Sequence, residues 1–190
     1  MIAAIYKRVI IIFIAYLILL NVLTFLTSLS PKALINPFYV RNRTVSMYHL
    51  AKHIVLVAGL GFVTAPQDEV EKLVSDASNK YGADPELIKI MIQVESKGRQ
   101  FAISRTGAMG LMQVMPVTFY DISNGDPFLA ADNIDAGVKY FARQYAKFGQ
   151  ADLALAAYNA GPQRVKDGKI PDFGETKHYI TRILSEYKQP

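Results

Sequence analysis

From about residue 68 onward, apolar residues recur every three or four positions, and residues that stop helices punctuate the repeats. Asp68 to Tyr81 aligns Val70, Leu73, Val74 and Ala77 on one face and meets Gly82, which predicts an amphipathic helix ending there. Asp84-Pro85-Glu86 is a helix start, with an Asp cap, Pro in the first position and an acid in the first turn. The helix it opens carries Leu87, Ile88, Met91, Ile92 and Val94 and ends near Ser96 to Gly98. A short helix is expected from Met115-Pro116 through Tyr120, and a turn at Gly125-Asp126-Pro127. Asp132-Asn133 reads as the cap of a helix from Ile134 to Phe148, with Gly149 as its stop. A compact alanine-rich helix follows over Asp152 to Asn159, ended by Gly161-Pro162, and a last one runs from Glu175 to Tyr187. No sustained strand alternation, internal repeat or low-complexity tract is visible, so the fold class is mainly α.

The first third follows a different rule. Val9 to Leu26 is an 18-residue run broken only by Asn21 and Thr24. At 1.5 Å per residue it spans about 27 Å, close to a bilayer's hydrocarbon thickness. A cleaved signal would need a shorter apolar region and a small-x-small site, and Ser28-Leu29-Ser30 is followed by Pro31, so an uncleaved transmembrane signal anchor is expected. Lys7 and Arg8 favour an inside start with the remainder exported, while Lys32, Arg41 and Arg43 pull the other way. The apolar stretch Ile54 to Val63 is too short to span and fits either the membrane surface or a face of the domain. His49 and His53 have the i, i+4 spacing of a helical metal pair, but with no third ligand evident they read as ordinary interfacial histidines.

Charge follows the same division. Residues 1–67 hold six basic residues and no acid, whereas the rest of the chain balances 15 basic against 16 acidic residues. A nucleic-acid binder would carry its positive stripe on the folded domain. Here the excess flanks an apolar segment, where anionic lipid headgroups are the natural partner, and no nucleic acid is expected. The absence of cysteine excludes disulfides, thiolate metal sites and cysteine nucleophiles.

The candidate chemistry centres on Glu95. It lies three or four residues from Ile92 and Met91 and seven from Ile88, which places a carboxyl near the buried face of its helix. Apolar surroundings and the negative helix end both disfavour the carboxylate, so its pKa is expected to rise and its proton to stay available for a glycosidic oxygen. No acid stands within a dozen residues after it. Glycoside hydrolases commonly need a second carboxylate, so a reaction served by one fits better. Around it stand Gly107-Ala108-Met109-Gly110-Leu111-Met112-Gln113, Ala157-Tyr158-Asn159-Ala160-Gly161-Pro162 and Glu175-Thr176. Gly107 and Gly110 would let the backbone approach a bulky sugar, and Gln113 offers both a donor and an acceptor to hydroxyl and acetamido groups. A phenol at Tyr158 can hydrogen-bond Glu95 or stabilise charge developing on the ring oxygen.

The order and spacing of these segments over residues 68–187 resemble the lytic transglycosylases of the soluble lytic transglycosylase (SLT) type, within the lysozyme-like superfamily. One departure is Gly98, where the family usually carries an aromatic. The resemblance implies cleavage of the bond between N-acetylmuramic acid and N-acetylglucosamine in peptidoglycan, with Glu95 acting first as acid and then as base. It also implies a substrate-binding set of Ser104, Met112, Gln113, Tyr158, Asn159, Glu175 and Tyr179, and no metal or cofactor. Plainer readings stand beside several of these: Met112 as packing, Tyr158 as a buried structural tyrosine, Glu175 as a helix N-terminal acid. Three parts are therefore expected: a membrane anchor over residues 1–30, a linker over 31–67 and a lysozyme-like catalytic domain over 68–190. The expected setting is the bacterial inner membrane, single-pass, with the domain facing the periplasm or cell wall and an envelope or secretion machine within reach. The rivals are a hydrolytic muramidase of the goose-lysozyme kind and a non-catalytic peptidoglycan-binding envelope protein.

Overall fold

The computed structural model describes residues 65–187 together with residues 41, 42, 44–46, 48 and 49. Six α-helices follow in order: α1 Gln67–Tyr81, α2 Pro85–Ser96, α3 Pro116–Ile122, α4 Ala130–Phe148, α5 Ala151–Ala160 and α6 Gly174–Glu186, with a 3-10 turn at Pro162–Arg164. The stops act as the residues predict. Gly82 and Gly149 take left-handed backbone after α1 and α4, and the Asp84 side chain caps α2 by accepting from the Glu86 and Leu87 amides. Strand pairing among the described residues is confined to isolated bridges.

The long helix α4 organises the domain, packing against α1, α3 and α5, while α6 closes on α5 and α2. Phe119, Phe128, Phe141, Ile88, Met91 and Leu155 are fully enclosed between these helices. Each contributes on the order of 2 kcal/mol of burial free energy, which is why short helices with modest propensity persist here.

One boundary departs from the sequence reading. The helix α4 begins at Ala130 with Leu129 before it, so Asp132 and Asn133 lie in its first turn and cap nothing. Their side chains reach back to the preceding loops instead. An Asp132 carboxylate oxygen accepts the Asp126 amide at 2.8 Å, and Asn133 bonds three separate backbone groups.

The run from Val9 to Leu26 and the stretch from Ile54 to Val63 lie outside the described residues. Among those described, no helix is long and apolar enough to cross a membrane. Within the segment expected as a linker, the described residues between 41 and 49 are helical and dock on the domain. Ser46 is fully buried, and its hydroxyl faces the carbonyls of Gly107 at 2.6 Å and Asn42 at 2.9 Å. His49 hydrogen-bonds the Tyr120 hydroxyl on α3. This upstream helix therefore braces both the loop at Gly107 and α3.

Candidate active site

The cleft is lined by the C-terminal end of α2, the loop from Ser104 to Met115, α3, the middle of α4, the end of α5 with its 3-10 turn, and the start of α6. It encloses about 830 Å³ and is open along one side. Glu95 stands at the end of α2, one residue before the last, and is partly buried. Burial pushes its carboxyl up to about 7, and the nearby negative charge of Glu175 pushes the same way; the Tyr179 hydroxyl opposes both. A neutral carboxyl near physiological pH can therefore sit at the cleft surface.

The structure brings Glu95, Ser104, Gln113, Tyr158, Asn159 and Glu175 onto this one cleft. Ser104 is tied into its loop: its oxygen accepts the Ala108 amide at 2.9 Å and shares a bond with Thr106. Gln113 adopts left-handed backbone with φ of 48°. Its amide nitrogen donates to the carbonyls of Gly110 and Ala102, at 2.8 and 3.1 Å, leaving the side-chain oxygen to accept from a ligand. Asn159 accepts from the Thr176 hydroxyl at 2.8 Å, which locks α5 to α6 and leaves its amide nitrogen as a donor. Glu175, in the first turn of α6, is exposed at the cleft edge.

Four residues do other work than the sequence pattern implies. Met112 is fully buried and packs against Gly137, where any Cβ would meet its sulfur at 2.4 Å, so it is core and not cleft wall. Gly110 is also turned inward. A Cβ there would meet the Asn133 amide nitrogen at 2.2 Å and the Pro127 carbonyl at 2.5 Å, so internal packing demands the glycine, not the approach of a sugar. Tyr158 donates its proton to the Met112 carbonyl at 2.8 Å and not to Glu95, although burial first and the Glu95 charge after it raise its pKa. Tyr179 lies behind the wall, buried, its hydroxyl approaching Glu95 as a donor without closing a hydrogen bond of full geometry.

Tyr158→Phe removes the partner of a buried carbonyl in the loop that carries Gln113. It is expected to cost about 1–2 kcal/mol in urea unfolding, and a stability unchanged from wild type would contradict the assignment.

The sequence pattern missed another part of the cleft wall: Thr118 and Asp121 on α3, and Tyr140, Arg143 and Gln144 on α4. Asp121 and Arg143 pair across it at 3.9 Å. A weak signal was available. Gln144 is a polar residue on the buried face of an amphipathic helix, and it is enclosed in the structure.

Fold and site together define a helical domain of the lysozyme-like class, in which a carboxyl with a raised pKa lines an open groove. Within that class the chain belongs to the transglycosylase SLT domain family, which matches residues 72–179. It is 32% identical over 108 residues to the transglycosylase of Enterobacteria phage PRD1, covering 57% of this chain and 39% of that one. It is 36% identical over 104 residues to membrane-bound lytic murein transglycosylase F of Desulfosudis oleivorans, covering 51% of this chain and 23% of that one. Among solved structures it resembles an inactive glutamate-to-glutamine mutant of the lytic transglycosylase Slt from Pseudomonas aeruginosa. The TM-score is 0.56 at 26% identity, over 78% of this chain and 28% of that chain. The chain thus spans well under half the length of these relatives.

Proposed function

We propose that this chain is a peptidoglycan lytic transglycosylase that cleaves the β-1,4 bond between N-acetylmuramic acid and N-acetylglucosamine. The observation that carries the reading is the carboxyl of Glu95, pushed up to about 7 by burial, on the wall of an open cleft of about 830 Å³. Glu95 gives its proton to the bridging oxygen as the bond to the muramic C1 breaks. The C6 hydroxyl of the same sugar then attacks C1 and returns its proton to Glu95, closing a 1,6-anhydro ring. The nucleophile is already attached to the reacting sugar, so proximity replaces a second catalyst. Ser104, Gln113, Asn159 and Glu175 present polar groups to the glycan, while Tyr158 and Tyr179 set the local environment of the acid. The relatives named murein transglycosylases support the reaction class, as does the glutamate whose loss accompanies inactivity in the Pseudomonas protein.

A hydrolytic muramidase is the second reading, and one observation favours it: Glu175 and Asp121 put further carboxylates on the same cleft, where one could activate water. Digestion of purified sacculi followed by mass spectrometry separates the two. Anhydro-muramic ends are expected; reducing ends as the main product would replace transglycosylation by hydrolysis.

The run Val9 to Leu26 is the basis for a single-pass anchor in the bacterial inner membrane with the domain on the wall side. Envelope association agrees with the membrane-bound naming of two relatives, from Desulfosudis oleivorans and Mannheimia succiniciproducens.

A further inference from the structure

The helix upstream of the domain touches two walls of the cleft, and it lies outside residues 72–179, which match the family. The first contact is at Gly107, in the turn from Ser104 to Ala108. Short bonds close that turn: the Gly107 amide donates to the Ser104 carbonyl at 3.1 Å, and the Ala108 amide donates to the Ser104 hydroxyl at 2.9 Å. Ser104, Thr106 and Ala108 line the cleft, whereas the Gly107 carbonyl meets the fully buried hydroxyl of Ser46, 61 residues earlier in the chain, at 2.6 Å. A serine hydroxyl has one proton, and the Ser46 oxygen lies nearer to Gly107 than to the Asn42 carbonyl at 2.9 Å. The second contact is at α3. This helix has seven residues and no side-chain cap, too little to hold its own shape, yet its Val117, Thr118 and Asp121 line the cleft. Tyr120, between Thr118 and Asp121, turns instead to His49. Its hydroxyl shares a hydrogen bond with the imidazole, and the two rings lie 5.6 Å apart.

Two walls of the cleft are thus tied to one helix that precedes the domain. Gly107 is itself buried, so without Ser46 its carbonyl would lose a donor and gain no water in exchange. A loop placed by a long-range bond shifts when that bond goes, and a displacement of about 1 Å at a site can cost on the order of 10²-fold in rate. We infer that Ser46 is a positioning residue of the active site. Through the Gly107 carbonyl it sets where the Ser104–Ala108 turn stands in the cleft, and His49 does the same for α3 through Tyr120. The machinery of turnover therefore extends to a helix outside the catalytic domain. The inference rests on the glycan-cleaving reading above for its activity readout.

The test uses the full chain in mild detergent with purified sacculi and counts released muropeptides, whatever their ends. Ser46→Ala removes the donor without adding bulk. It is expected to lower kcat about tenfold and leave KM within about twofold, with the protein still folded by circular dichroism at the assay temperature. In the Ser104→Ala background the same change should cost little more, because both residues act through one turn; losses that multiply would overturn the inference. Hydrogen exchange read by mass spectrometry is the second measurement. Ser46→Ala should speed exchange of the peptide covering residues 104–108 by about fivefold and leave α2 unchanged. A wild-type kcat in Ser46→Ala overturns the inference even if the unfolding midpoint drops, since the helix is then only a support. Unchanged exchange at 104–108 overturns it too. Should Ser46→Ala fail to fold, Tyr120→Phe decides: removing this one hydroxyl, outside the cleft lining, is expected to lower kcat about threefold, and a wild-type kcat there overturns the inference. Should wild type release no muropeptides, the proposed reaction falls, while exchange still decides whether Ser46 holds the turn.

Discussion

Glu95→Gln is expected to lower turnover of sacculi by on the order of 10³-fold or more while leaving glycan binding within a few-fold of wild type. The amide fills the same space at the end of α2 but can neither give nor accept the transferred proton. Because the first step needs the protonated acid, the wild-type rate should fall as pH rises through about 7, the pH at which Glu95 loses its proton. A rate that survives Glu95→Gln, or one flat from pH 5 to 9, would remove Glu95 from the chemistry. The same shift has a consequence for stability. The folded protein holds this proton up to about pH 7, whereas the unfolded chain releases it near the ordinary glutamate value of 4.5. Between those values the folded state binds more protons than the unfolded one, so stability declines as pH rises across that window, by on the order of 3 kcal/mol in all. Glutamine does not titrate. The variant should therefore be more stable than wild type at pH 8, with the advantage fading towards pH 4.5, as paired urea titrations at the two pH values would show. An inactive variant with no such gain would mean that burial does not hold the acid neutral.

The second large effect lies away from the acid. Asn133→Ala is expected to destabilise the domain by about 3–5 kcal/mol, because one enclosed side chain satisfies three backbone groups. Its oxygen accepts the Met112 amide at 2.8 Å, and its nitrogen donates to Met109 at 3.0 Å and to Pro127 at 2.8 Å. These bonds pin the loop bearing Gln113 to the first turn of α4 and to the turn at Pro127, and the space above Gly110 is shaped around the same amide. Asn133→Asp should be as damaging, since a carboxylate presents acceptors to two carbonyls. Against a typical domain stability of about 5–15 kcal/mol, either loss is visible in the unfolding midpoint. A change below about 1 kcal/mol for Asn133→Ala would show that the loop holds itself.

How much of this was legible beforehand differs by residue. The raised acid at Glu95 followed from its spacing to Met91 and Ile92, because a helix fixes which side chains share a face. The helix stops were legible for the same local reason: Gly82, Asp84 and Gly149 act through their own backbone or the next turn. The roles of Asn133, Gly110 and Met112 were not. Each depends on a partner 21 to 25 residues away along the chain, as well as nearer ones, and no local rule reports that. Tyr158 shows the limit most clearly. Its motif placed it at the acid, but the partner of its hydroxyl is a backbone carbonyl 46 residues away.

The amino-acid order alone thus determined the helical periods, the stops at Gly82 and Gly149, the Asp84 cap, the basic and apolar first third and the raised pKa of Glu95, since all of these are set by neighbours within a turn or two. Packing decided the remainder: which polar groups face the groove and which hold the loop, and the α3–α4 wall bearing Asp121 and Arg143. Burial and hydrogen-bond pairing are properties of surfaces that meet only after the chain has folded back on itself, so they have no counterpart in sequence spacing.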